Sequence, residues 1–309
     1  MGSGKVERTA SDIKQLKIQG ARNIAKAAVH AMASLARESK ARTPDEFRSD
    51  LLVAADTLAK ARPTEPMLQN SLRFFFAQLA RGKPKSVLAA RRAILADEKQ
   101  LLAKFEASAE RIAEYGAELL PAGATVLVHC HSSTLMGALK RAQEMGKKPV
   151  VFCTETRPRF QGRISARELA AAGIDTTLIV DSAVKSVMHK VDLVLVGADS
   201  ITATGDLVNK IGTAGIADIA HAGGVNFLSC AELYKFDPLT IFGRATEIEM
   251  RSETEVADPA ARRALKGVRI LNYAFDRTPA ERISAFITEN GLVSPQGFAA
   301  MAMKELGLG

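Results

Sequence analysis

The sequence predicts an α/β protein: an all-helical N-terminal domain over residues 1–120, then a Rossmann-like, doubly wound parallel-sheet domain over 121–309. Three observations predict it. Through the first part, apolar residues recur at three- and four-residue spacing, the period of an amphipathic helix. After Pro121-Ala122-Gly123, short β-branched runs alternate with amphipathic stretches. Those runs are almost continuously apolar, as strands buried on both faces of a parallel sheet are.

In the helical part the spacing predicts helices over 22–39, 45–60, 67–81 and 86–118. Breaks fall at Gly20, at Arg62-Pro63-Thr64 and at Gly82-Lys83-Pro84. In the second part, strands are expected at Thr125–Cys130, Pro149–Cys153, Thr176–Asp181, Asp192–Ala198 and Val225–Cys230. Helices over 133–146, 163–173, 182–189 and 211–222 separate them. From about residue 231 the pattern is less regular, and it closes on a helix over 297–306.

Of the 309 residues, 47% are hydrophobic and 25% charged, which excludes disordered and fibrous classes. Only 5% are aromatic and none is Trp, so the core is aliphatic and base-stacking platforms are scarce. A direct nucleic-acid binder is therefore disfavoured. The net charge of +8 is uneven: residues 1–120 hold 21 basic and 14 acidic side chains, the remainder 21 and 20. The cations are interleaved with acids and read first as a solvated face, with an anionic ligand as the alternative. Three widely spaced Cys without a CxxC argue against a disulfide framework or a structural zinc and fit a reducing cytoplasm. No apolar run approaches the ~20 residues of a membrane span, and no signal-peptide core opens the chain.

In an open parallel sheet, ligands bind beyond the carboxyl ends of the strands. The residues expected there include Cys130, Ser132, the Thr154–Gly162 loop, Asp181, Asp199 and Glu232. Cys130 lies just before a predicted helix, where the positive end of the helix dipole favours thiolate and hence a base or nucleophile. The alternative is a small buried hydrophobe. His129 and His131 flank it, but in an extended chain their side chains point away from the face Cys130 uses, so no metal set converges. Asp199 reads as an acid/base, a sugar or metal ligand, or a turn cap. Gly205-Asp206 reads as a tight turn, and Asn209-Lys210-Ile211-Gly212-Thr213 as an amide, a cation and a Gly-Thr pair opening a helix whose N–H groups, with Lys210, suit a phosphate; the alternative is an ordinary capped helix. Arg157 and Arg159 sit on a proline-braced loop, and Arg forks suit phosphate oxygens.

Together these segments resemble one superfamily. Gly20-Ala21, Arg62-Pro63-Thr64, TETRPRFQGR at 154–163, GADSI at 197–201, NKIGT at 209–213, GRATEIEMR at 243–251 and NYAFDRTP at 272–279 occur in its order. It contains the regulatory subunits of translation initiation factor 2B, methylthioribose-1-phosphate isomerase and archaeal ribose-1,5-bisphosphate isomerase. The His129-Cys130-His131-Ser132 segment is most similar to the last. That resemblance implies Cys130 and Asp199 as the catalytic pair. It implies substrate contacts from Gly20, Ala21, Arg22, Arg62, Ser132, Arg157, Gln161, Asn209, Lys210 and Lys235. The family's first motif usually reads Ile-Arg-Gly-Ala; here Gln19 replaces the Arg, leaving Arg22 as the neighbouring cation.

The implied reaction converts α-D-ribose 1,5-bisphosphate to D-ribulose 1,5-bisphosphate, without metal or redox cofactor, in AMP degradation. The resemblance also implies a cytoplasmic homo-oligomer, dimer or hexamer, with AMP as a candidate activator and neither nucleic acid nor membrane as partner. The helical half, carrying most of the positive charge, is expected to cap the site. Two alternatives stand beside this: a non-catalytic regulatory subunit, and an isomerase for methylthioribose 1-phosphate or another pentose 1-phosphate.

Overall fold

A computed structural model describes residues 3–308. It divides into two compact units: the chain up to Ala107 together with Lys304 onward, and Ser108–Met303. The division falls inside a long helix rather than at its C-terminal end near residue 120, where the sequence break lies.

The first unit holds α1 (Ser3–Lys14), α2 (Ala21–Glu38), α3 (Pro44–Ala61), α4 (Pro66–Gly82) and the first part of α5 (Val87–Leu119). Each predicted helix is found within one or two residues; α1 was not expected. Apolar faces bury Ile24, Met32 and Leu35 of α2, Phe47, Leu51 and Leu58 of α3, and Leu72 and Phe75 of α4. Thr43 caps α3, accepting from the Glu46 N–H, with Pro44 in the first turn, where its missing N–H costs nothing. On α5, Glu98 holds both His30, at 2.9 Å, and Arg37 of α2.

The second unit is built on a seven-stranded sheet. Its strands are β1 (Thr125–His129), β2 (Val150–Thr154), β3 (Asp175–Ile179), β4 (Leu193–Val196), β7 (Asn226–Cys230), β9 (Ala285–Thr288) and β10 (Gly291–Val293). Their order is β10-β9-β7-β4-β1-β2-β3, and every pairing is parallel except β9–β10. Among the connecting helices are α6 (Ser133–Glu144), α7 (Gln161–Ala171), the short α8 (Val184–Val187) and α9 (Thr213–Ala222). The core is aliphatic, with Val126, Val128, Leu135, Leu139, Val151 and Leu195 all buried. After β1 the chain winds to β2 and β3 on one side, then crosses to β4 on the other. The β1/β4 boundary is thus the topological switch point, where a doubly wound fold opens its crevice.

A second sheet, antiparallel and ordered β5-β6-β8, joins β5 (Ser200–Ile201), β6 (Leu207–Lys210) and β8 (Phe275–Thr278). Two features were not expected: Asn209 and Lys210 lie on a strand, and the tail beyond 231 contributes three strands. The remaining helices are α10 (Pro259–Ala264) and α11 (Pro295–Leu306). Among the described residues, no helix is long and apolar enough to cross a membrane.

Candidate active site

Cys130 follows β1 and Asp199 follows β4, so the two leave adjacent strands at the switch point. Gly197 lets these strand ends close up: a Cβ there would lie 2.6 Å from the Ser132 Cβ. Ser132 caps α6 from that position, accepting from the Leu135 N–H at 3.5 Å. Asp199 donates its own N–H to the Val208 carbonyl at 3.0 Å, which seats it on the small sheet. Lys210 ends β6, buried, with Nζ 4.8 Å from the centre of the Phe275 ring.

Charge couples these groups. Burial pushes the Cys130 thiol up to about 11; Lys210 pulls against that, while Asp199 and Asp181 add to it. This corrects the expected stabilised thiolate. Cys130 precedes the capping Ser132 by two residues, its φ is 66°, and desolvation outweighs Lys210 and the His131 backbone N–H. Cys153 and Cys230 are ordinary buried thiols, each pushed up to about 12.

The expected phosphate site at the start of α9 also needs correction. Asp276 of β8 already takes the Gly212 N–H at 2.7 Å and the Ala214 N–H at 3.2 Å. Burial pushes this carboxyl up to about 6, against those bonds and Lys210. Asp276→Ala is expected to lower unfolding free energy by about 1 kcal/mol in urea titration, the usual worth of a helix cap. Nearby, Asn209 donates to Thr213 Oγ1 at 3.1 Å, and Thr213 donates to the Lys210 carbonyl at 2.5 Å.

The loop after β2 is held from both sides. Both Asp181 oxygens accept backbone N–H groups, from Thr156 and Arg157, at 2.7 Å. The Arg157 side chain is exposed, donates to the Val256 carbonyl at 3.1 Å and lies 5.1 Å over the Phe160 ring. Gln161 opens α7 with its Oε1 buried and without a hydrogen-bond partner. Lys235 is buried against Glu232 at 2.8 Å, on a segment whose Phe236 pairs with Ile201 beside Asp199 and Ser200.

In the helical unit, Gly20 precedes α2 with φ 84°, followed by buried Ala21 and half-buried Arg22. Arg62 is buried and ends α3 at φ −152°, outside helical geometry, as the following Pro63 requires. Among the described residues, no three His, Cys, Asp or Glu gather as metal ligands. Sequence reasoning missed Ser165 and Asp276, and placed Thr156 and Asp181 at strand ends without partners. Each acts through a distant backbone group, which spacing does not display.

Residues 17–295 match the initiation factor 2 subunit family, and the chain belongs to it. It is 44% identical to the ribose 1,5-bisphosphate isomerase of Methanocaldococcus jannaschii over 94% of this chain and 92% of that one. It is 39% identical to the methylthioribose-1-phosphate isomerase of Heliobacterium modesticaldum, over 92% and 86%. The solved Pyrococcus horikoshii translation initiation factor eIF-2B superposes with a TM-score of 0.81 at 29% identity, over 94% of this chain and 98% of that one. Within the family, this chain is an isomerase.

Proposed function

We propose that the chain isomerises α-D-ribose 1,5-bisphosphate to D-ribulose 1,5-bisphosphate within AMP breakdown, with Cys130 as base and Asp199 as acid. The observation that carries this is the thiol and carboxylate leaving adjacent strands at the switch point, with a buried lysine acting on the thiol. A non-catalytic scaffold has no use for that trio.

In the sugar, phosphate blocks the anomeric oxygen, so the ring opens by breaking the bond between C1 and the ring oxygen. Cys130 thiolate removes the C2 proton. The C–H electron pair becomes a C1–C2 double bond, the ring C–O bond breaks, and Asp199 protonates the leaving ring oxygen. Asp199 carboxylate then takes the proton of the C2 hydroxyl while the Cys130 thiol returns its proton to C1. The ketone forms at C2, both phosphates survive, and both side chains regain their starting protonation.

Lys210 and Lys235 supply charge for the phosphates, and the orphan Gln161 Oε1 is a ready acceptor for a sugar hydroxyl. Gly20, Ala21, Arg22 and Arg62 are assigned to the same substrate by family resemblance, as are Ser132, Arg157 and Asn209. The working unit is a cytoplasmic homo-oligomer, and AMP is its activator. Relatives named for methylthioribose 1-phosphate make that sugar the competing substrate. An apolar C5 end would favour that sugar, and cations there the bisphosphate.

Incubation with ribose 1,5-bisphosphate, followed by ³¹P NMR, is expected to show ribulose 1,5-bisphosphate. Turnover of methylthioribose 1-phosphate alone would overturn the substrate assignment. In the same assay Lys210→Ala should raise the substrate Kd roughly 10- to 150-fold, the loss of one charge-assisted bond. Unchanged affinity would remove Lys210 from the phosphate site.

A further inference from the structure

We infer that His129 is a positioning residue: it ties the backbone of Cys130 to Ile211, the residue after Lys210 at the end of β6, through a one-way chain of hydrogen bonds, Cys130–Thr156–Thr154–His129–Ile211. The inference rests on the proposed function only in that the two ends of the chain are the base and the phosphate cation.

The direction of every bond follows from what each group can do. The Ile211 carbonyl only accepts, so His129 Nε2, at 2.8 Å, carries the hydrogen. Burial keeps the imidazole neutral, lowering its pKa, with Lys210 adding to this and Asp181 opposing it. Nδ1 is therefore a lone pair, and Thr154 Oγ1, at 2.7 Å, must donate its single hydrogen to it. Thr154 Oγ1 can then only accept, and Thr156 Oγ1 lies 3.3 Å away. Thr156 Oγ1 in turn accepts the Cys130 N–H at 3.0 Å.

His129, Thr154 and Thr156 are all buried, so water does not readily replace a broken link, and the Thr156 hydroxyl has only the Thr154 carbonyl, at 3.5 Å, as a second acceptor. The chain also holds an unfavourable backbone. Cys130 and the β-branched Thr156 have φ of 66° and 61°, a region such residues avoid. Ser165 braces the other side of Cys130 by donating to its carbonyl at 2.9 Å. At the far end, Gly212 with φ 101° packs on the imidazole: a Cβ there would lie 3.3 Å from both Cε1 and Nε2. Both ring nitrogens are occupied by protein groups, so His129 has none to offer a metal.

Position along the chain predicts which constant moves. Thr156→Val removes the acceptor beside Cys130. We expect kcat for ribose 1,5-bisphosphate to fall about 10- to 100-fold with KM within about threefold, the scale of a displaced catalytic group. Thr156→Ser, which keeps the oxygen, should restore kcat. His129→Asn keeps an acceptor for Thr154 and loses the bond to Ile211, so KM should rise about fivefold or more through Lys210, next to Ile211 at the end of β6. The rate at which iodoacetamide alkylates Cys130, followed by peptide mass spectrometry, should change in Thr156→Val and return in Thr156→Ser.

The alkylation arm needs no substrate, so it decides this inference even if the bisphosphate is not turned over. Wild-type alkylation and kcat in Thr156→Val would overturn it. So would Val and Ser variants that fail equally with matching losses of thermal stability, the mark of a merely structural role. If Thr156→Val does not fold, Thr154→Ala cuts the next link and is read by the same alkylation measurement, with unchanged alkylation again overturning the inference.

Discussion

Cys130→Ser should lower kcat about 10²–10⁴-fold, the range for losing a general base, while the fold and substrate affinity stay near wild type. The substitution is almost isosteric. It preserves the Cys130 N–H bond to Thr156 and the carbonyl bond from Ser165, because both use the backbone. What disappears is the acidity: a serine hydroxyl does not ionise in the range where even the buried thiol, at about 11, can. Rapid-quench assay of product is the check. A variant that keeps more than about a tenth of wild-type kcat would sink the thiolate as base.

Asp199→Asn should abolish turnover to a similar depth, since an amide cannot give a proton to the ring oxygen and take another from the C2 hydroxyl. The backbone bond to Val208 remains, so the main chain at 199 stays in place. Two further signs distinguish this from general damage. Removing a negative charge beside a bisphosphate should leave binding equal or tighter. Asp199 also helps to hold the Cys130 thiol protonated, so its neutralisation should speed alkylation of Cys130 at fixed pH. Normal turnover by Asp199→Asn would leave Asp199 as a cap only.

The strands carrying Cys130 and Asp199 were legible because parallel strands buried on both faces read as unbroken apolar runs. β5, only Ser200–Ile201, and β6 lack such a run, so the small sheet was invisible, and Lys210 was read only as a cation ahead of a helix start. The β9–β10 hairpin had left a signal in Asn290-Gly291, and Gly291 does adopt φ 101°. The helix-start arguments misled twice for one reason. They treated an end as open when a residue far along the chain, Asp276 at α9, fills it, or when burial dominates, as at Cys130. Thr156 and Ser165 hold the backbone of Cys130 from 26 and 35 positions away, and Asp181 holds the Thr156 N–H from 25, separations that carry no periodic signal.

A raised thiol pKa is compatible with a thiolate base if one proton is shared by the Cys130–Asp199 pair. The working form, thiolate with carboxylic acid, holds as many protons as the resting form, thiol with carboxylate. Its population therefore does not change with pH while that proton is retained. Alkylation asks only for thiolate, and must climb about tenfold per pH unit below about 11, to which burial pushes the Cys130 thiol. The decisive measurement is kcat/KM for ribose 1,5-bisphosphate beside the Cys130 alkylation rate, both from about pH 7 to 10. A flat turnover profile against a steeply climbing alkylation profile is predicted. Turnover that climbs in parallel with alkylation would contradict a shared proton and remove Asp199 as the acid.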